Sequence, residues 1–278
     1  MDLLSYLTQP FAQHALIAAA LIAVITGLIG PFVVMRGMSF AVHGTAELAF
    51  TGAAAGLLIN NNPVEGALIG AMIVAAIIGF LGAKERERDS AIGVILAFGL
   101  GLGILFLSYY HGFATEATNI LFGNIFGVSS GQLSLLVIIG VLVIIAMMVL
   151  YRPLLFASVD PEVAMAKGVP VRLLGILFLF VLAFTVTEAA QIVGTLLVLS
   201  LAITPAAAAQ QLSAHPLVVT ALSVIFALIA SVGGVLASLE SSTVKASVFV
   251  TTISFAIYII ARLMSKQFQP HQKSSSAL

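Results

Sequence analysis

Apolar runs long enough to cross a bilayer recur along this chain, and no other feature restricts its fold as strongly. A membrane-spanning helix takes about 20 mostly apolar residues at about 1.5 Å rise each. Runs of that kind lie near 11–35, 63–83, 89–110, 131–151, 171–188, 192–210, 216–237 and 246–264. The segment 44–60 is shorter, rich in small residues and interrupted by polar ones. It makes a ninth, weaker candidate that neighbouring helices must shield from lipid. Composition agrees: 61% of the 278 residues are hydrophobic and 8% charged, against roughly 45–50% and about 25% in a soluble domain. The fold expected is all-α, a polytopic helical membrane protein with about 8–9 transmembrane helices. No repeat of fixed period is visible. One membrane-embedded domain over 1–265 accounts for all but the tail 266–278, "KQFQPHQKSSSAL", whose polar composition is that of a disordered cytoplasmic segment.

Basic residues orient the spans. Arg36, Lys84, Arg86, Arg88, Arg152, Lys167, Arg172, Arg262, Lys266 and Lys273, ten of the eleven, fall on alternate connections, with Lys245 the exception. The positive-inside rule places those connections in the cytoplasm, so nine crossings put the N-terminus outside and the C-terminus inside a cell membrane. The opening "MDLLSYLTQPF" has no basic leader region, so the first apolar span is expected to stay as a membrane helix. Eleven basic against eleven acidic side chains give zero net charge, which removes nucleic acid from the expected partners. Without cysteine, any metal site must be built from imidazole and carboxylate.

Two motifs stand out from this background. The first, "VDPEVAMAKGVP" in a cytoplasmic connection, is a short helix with its ends marked. Asp160 suits the N-cap, Pro161 the first helical position and Glu162 the positive end of the dipole, while Gly168 with Pro170 stops the helix. It reads either as surface decoration or as a docking helix for a cytoplasmic partner. If ATP is used, another polypeptide binds it, because the chain has no G-x-x-x-x-G-K-[ST] loop and no Gly-Lys dipeptide.

The second motif is "MRGMSFAVHGTAELAFTG", residues 35–52. Counted as continuous helix from Arg36, His43 lies about 10 Å and Glu47 about 16 Å deeper, near mid-bilayer. An ionisable group there costs on the order of 3 kcal/mol and usually marks a substrate path. At i and i+4 the two share a helix face, which lets both bind one cation such as Zn(II), Mn(II) or Fe(II). The plainer alternative is a neutral His43 hydrogen-bonded to a protonated Glu47, stitching helices together. Small residues around them, among them Gly44, Gly52 and Gly56, allow close helix approach. If the same helix of a second copy is the partner, two His–Glu pairs meet across a two-fold axis.

Over essentially its whole length the chain resembles the bacterial zinc/manganese/iron ABC-transporter permease family. The family's second span typically reads R-G-M-A-L-x-G-D-A-x-S-H-A-x-L-P-G, here "RGMSFAVHGTAELAFTG"; "VGTLLVLSLAITPAAAA" and "DPEVAMAKGV" match two later motifs in the right order. The resemblance implies a type II ABC importer-like permease. It would work as a homodimer in the cell membrane, with two cytoplasmic ATPase subunits and an extracellular or periplasmic metal-binding protein. No cofactor would be bound permanently; Mn2+, Zn2+ or Fe2+ would be cargo. It also implies that Asp160 to Gly168 form the coupling helix seated on the ATPase, and that His43 and Glu47 are the metal-gating pair. Carboxylate and imidazole have exchanged places relative to the family, and Thr51 stands where its proline usually does. Pro205 matches a family proline, expected to kink its helix and serve either gating or static shape. Rival readings are a permease for siderophore- or cobalamin-type chelates, an intramembrane metalloenzyme, for which "HGTAE" offers too few ligands, and a proton-coupled transporter using Glu47 and Glu188.

Overall fold

The computed structural model describes residues 8–81, 85–110, 123–194, 198–241 and 244–268. Its helices are α1 (Pro10–Met35), α2 (Ser39–Asn60), α3 (Pro63–Leu81), α4 (Glu85–Tyr109), α5 (Ser130–Val159), α6 (Pro161–Ala166), α7 (Val171–Val193), α8 (Val198–Leu212), α9 (Pro216–Glu240) and α10 (Ala246–Phe268). Eight are long and apolar enough to cross a membrane, and α8 is a shorter apolar helix. Among the described residues the fold is all-helical, as expected. His111 and the tail beyond Phe268 lie outside the described residues.

The weak and strong spans exchange roles. The 44–60 segment is part of a full 22-residue helix starting at Ser39, whereas the span expected at 192–210 is divided: α7 runs on to Val193, Gly194 takes φ 96°, and α8 starts at Val198 with 15 residues. Glycine accepts that φ without a Cβ clash and ends α7. Polar residues in α2 misled the hydropathy reading because packing, rather than lipid, surrounds them.

The α2–α3 hairpin shows how. Asn61 at φ 53° turns the chain and Pro63 starts α3. A Cβ on Gly52 would overlap the backbone of Gly66, and one on Gly70 would overlap the carbonyl of Leu48, so the two backbones touch as small residues permit. Of the small residues expected to allow a close helix approach, Gly52 and Gly56 are thus taken up by α3 of the same chain. On another face of α2, side chains of Leu48 and Phe50 occupy the space that Gly99 and Gly103 of α4 leave open.

Helix α1 is central, packing against α5, α7, α8 and α9. A Cβ on Gly27 would come within 2.6 Å of Val224 Cα, and one on Gly30 within 2.7 Å of the Ala202 carbonyl. Ser231 Oγ donates to the Ala19 carbonyl at 2.9 Å. Helices α3, α4 and α10 turn apolar side chains outward, among them Ile73, Phe80, Phe98, Phe255 and Leu263, which suits a lipid-facing rim.

Helix α5 extends past its expected end at 151 to Val159, through Arg152 and an internal Pro153. Its 30 residues reach about 45 Å, longer than the hydrocarbon core of about 30 Å. Helix α6 is carried at the end of α5, where Leu154, Ala157 and Ala164 are buried. Asp160 Oδ1 accepts from the Val163 amide at 3.0 Å, Pro161 is the first helical residue, and Gly168 at φ 79° closes the unit.

Candidate metal-binding site

Helix α1 stops at Met35, Gly37 adopts φ 61°, and α2 starts afresh at Ser39. The chain turns back at Gly37, so the depth count from Arg36 is corrected. From Ser39, His43 is about 6 Å and Glu47 about 12 Å along the helix axis. The pair occupies the half of α2 nearer Arg36.

Glu47 is 6% exposed and His43 half-buried. His43 Nδ1 and Glu47 Oε2 are buried without a hydrogen-bond partner. That argues against the stitching alternative, in which these polar atoms would be satisfied, because buried polar atoms normally find partners. Two orphaned donors one turn apart, one nitrogen and one oxygen, present lone pairs suited to a shared cation. Among the described residues no three His, Asp or Glu side chains converge.

Thr51 ties the turn after Glu47 to α4. Its Oγ1 lies 3.1 Å from the Glu47 carbonyl and 2.7 Å from the Gly99 carbonyl of α4. Sequence reading noted Thr51 only for not being proline; its spacing of four from Glu47, which favours a bond back to that carbonyl, was the available signal. Pro205 is buried inside α8, where its missing amide leaves the Leu201 carbonyl without its helical donor. Residues 160–168 lie between the end of α5 and the start of α7.

Arg36 connects these regions. Its Nη1 donates to Ser158 Oγ at 3.3 Å, and its guanidinium stacks 5.7 Å over the Phe178 ring. Phe178 also packs on Phe32, which meets Tyr151 edge-on. Sequence reading used Arg36 as a depth marker only.

The ABC 3 transport family matches residues 8–265. This chain belongs to the ABC 3 transport family. It is 34% identical over 84% of its length, and 80% of the relative's, to the manganese transport system membrane protein MntC of Halalkalibacterium halodurans. It is 32% identical over 72% of its length, and 71% of the relative's, to the manganese import system permease protein ScaB of Streptococcus parasanguinis. The solved structure of PsaBC from Streptococcus pneumoniae in complex with Fab superposes with a TM-score of 0.84 at 28% identity, covering 93% of this chain and 94% of that one. The fold is therefore that of an ABC-transporter permease, in a multi-pass membrane protein.

Proposed function

We propose that this chain is the permease of an ATP-driven importer of divalent transition metal ions, manganese first with zinc and iron as the other candidates. The observation that carries the reading is the pair of orphaned donors His43 Nδ1 and Glu47 Oε2, one turn apart, in a chain of this family. A mixed nitrogen–oxygen set without thiolate suits these ions. The names of MntC and ScaB refer to manganese, which favours a bare ion over a chelate.

Two ligands leave a coordination sphere incomplete, and a second copy of the chain would add two more across a two-fold axis. Gly93, Ala97 and Gly101 form an exposed small-residue stripe on α4, and a Cβ at either glycine would meet nothing within 4 Å. That spacing supports close contact with another helix. The remaining partners are two cytoplasmic ATPase subunits and an extracellular or periplasmic metal-binding protein. Arg36, Arg152, Lys167 and Arg172 cluster with α6 at one end of α1, α5 and α7, which supports a cytoplasmic α6 and an external N-terminus in a bacterial cell membrane.

In this mechanism the ATPases move α6, and Arg36 conveys the movement. Ser158 and Phe178 flank α6 on either side, and both touch Arg36, which stands three residues before α2 begins. A shift of α6 thus reaches His43 and Glu47 through one turn of backbone and about two turns of helix. Binding must stay weak enough for the ion to leave. The complex reconstituted with its ATPases should take up radioactive Mn2+ only with ATP, competed by Zn2+ or Fe2+. Uptake of a siderophore or cobalamin chelate in place of every bare ion would overturn the reading.

A further inference from the structure

Helix α2 lies on α4 along the stretch that carries the ligands. A Cβ on Gly44 would come within 2.9 Å of Ile92 Cγ2, the Leu48 side chain fills the space over Gly99, and Phe50 fills that over Gly103. A Cβ on Gly103 would also stand 3.3 Å from Thr51 Cα. The contacts advance along both helices together, so α2 and α4 run side by side in the same direction, and Glu47 falls in sequence between Gly44 and Leu48.

Leu48 and Phe50 are apolar knobs in grooves that glycines leave. Such packing fixes how closely two helices approach, but dispersion has little direction and permits a slide or a small rotation. One contact in the seam is directional. Thr51 Oγ1 stands 2.7 Å from the Gly99 carbonyl and 3.1 Å from the Glu47 carbonyl. A hydroxyl has one proton to donate, and the shorter distance gives it chiefly to Gly99, across the seam. Thr45, between the two ligands in sequence, instead donates to the Ala41 carbonyl of its own helix at 2.7 Å, and Thr185 and Thr187 likewise donate four residues back at 2.9 and 2.8 Å. Thr51 is buried, and away from water a hydrogen bond is stronger and more costly to leave unmade. His43, Glu47 and Thr51 are each one turn from the next. Two unanswered ligand atoms are followed by a hydroxyl that anchors their helix to its neighbour.

We propose that Thr51 is a positioning residue for the metal site: its bond to Gly99 fixes the rotation and register of α2 against α4, and with them the place of the Glu47 carboxylate. The inference rests on the importer reading above. A group that orients a ligand without touching the metal typically changes affinity by about 10–100-fold when lost. Here the connection runs through one turn of helix backbone, which puts the expected effect at the lower end. Helix α4 also carries the Gly93, Ala97 and Gly101 stripe on which the second copy is proposed to sit, so the same bond sets the ligand turn at a fixed offset from that contact.

The test compares wild type, Thr51→Val and Thr51→Ser in the complex reconstituted with its ATPases. It reads KM and maximal rate for ATP-driven Mn2+ uptake, the yield of assembled complex and its melting temperature. Valine keeps the β-branched shape and removes the hydroxyl, whereas serine keeps the hydroxyl. Positioning predicts a KM for Mn2+ raised about tenfold in Thr51→Val, a smaller change in maximal rate per assembled complex, and a KM returned toward wild type in Thr51→Ser. A KM within about twofold of wild type in Thr51→Val, whatever happens to yield or melting temperature, reduces Thr51 to helix packing and overturns the proposal. A raised KM that Thr51→Ser does not lower overturns it too. If Thr51→Val does not assemble, Thr51→Ala takes its place in the same comparison, and failure of both assigns the bond to folding and overturns the positioning role. Wild-type complex that moves no Mn2+, Zn2+ or Fe2+ overturns the importer reading and this inference together, whereas normal wild-type uptake beside an unchanged KM in Thr51→Val overturns this inference alone.

Discussion

Helices α6 and α2 each carry a short polar motif, and they resolve it in opposite ways. In α6 the polar groups answer one another: the Asp160 carboxylate takes the Val163 amide, and the Val169 amide closes on the Ala164 carbonyl at 3.0 Å. In α2, His43 Nδ1 and Glu47 Oε2 are buried and unanswered, while Gly52 and Gly56 of the same helix are packed on α3 as tightly as backbone allows. A motif that satisfies itself is finished locally and acts by presenting a shape, whereas one left unsatisfied inside a packed protein calls for something from outside the chain.

Substitutions can break that contrast. The largest effect is expected from Gly66→Val, which drives a side chain into the Gly52 backbone. Overpacking there should cost about 3 kcal/mol or more, seen as loss of monodisperse protein in detergent. His43→Ala and Glu47→Ala should next leave assembly intact and cut Mn2+ uptake by about 100-fold. Normal uptake by both would remove the ligand role and return the pair to a structural one. Arg36→Met, which loses the Ser158 bond and the Phe178 stacking, should keep ATP hydrolysis but lower the ions moved per ATP by about tenfold; Lys should not rescue it, because it lacks the planar fork. Asp160→Ala should weaken α6 by about 1 kcal/mol through loss of its cap, giving a several-fold drop in uptake with ion affinity unchanged. The smallest effect belongs to Ser129→Ala. It removes an exposed capping box with Gln132 at the other end of α5, costs at most about 1 kcal/mol, and should leave uptake as it was.

Some of this molecule was legible before any coordinates. The membrane class, most spans and the α6 caps follow from hydropathy and from residues whose preferences act within one turn. Hydropathy failed where tertiary contact replaced lipid: α2 is longer than its polarity suggested because α3 and α4 cover it, and the 192–210 run is divided at Gly194 although it is apolar enough to be read as one span. Thr51 and Arg36 act through partners 48 and 122 residues away, a distance at which sequence spacing carries no signal.

By itself the sequence determined a bundle of apolar helices, the chemistry of the two ligand-type residues, and a self-capped helix between two spans, since each depends on side-chain type and local periodicity. The tertiary structure alone decided that the chain turns at Gly37, which moves His43 and Glu47 toward the Arg36 end of α2. It also decided that Gly52 and Gly56 of α2 are consumed by α3, and that Glu188 is enclosed with an unanswered oxygen. Those outcomes depend on which faces meet, and burial of a polar atom becomes informative only when its possible partners have been placed around it.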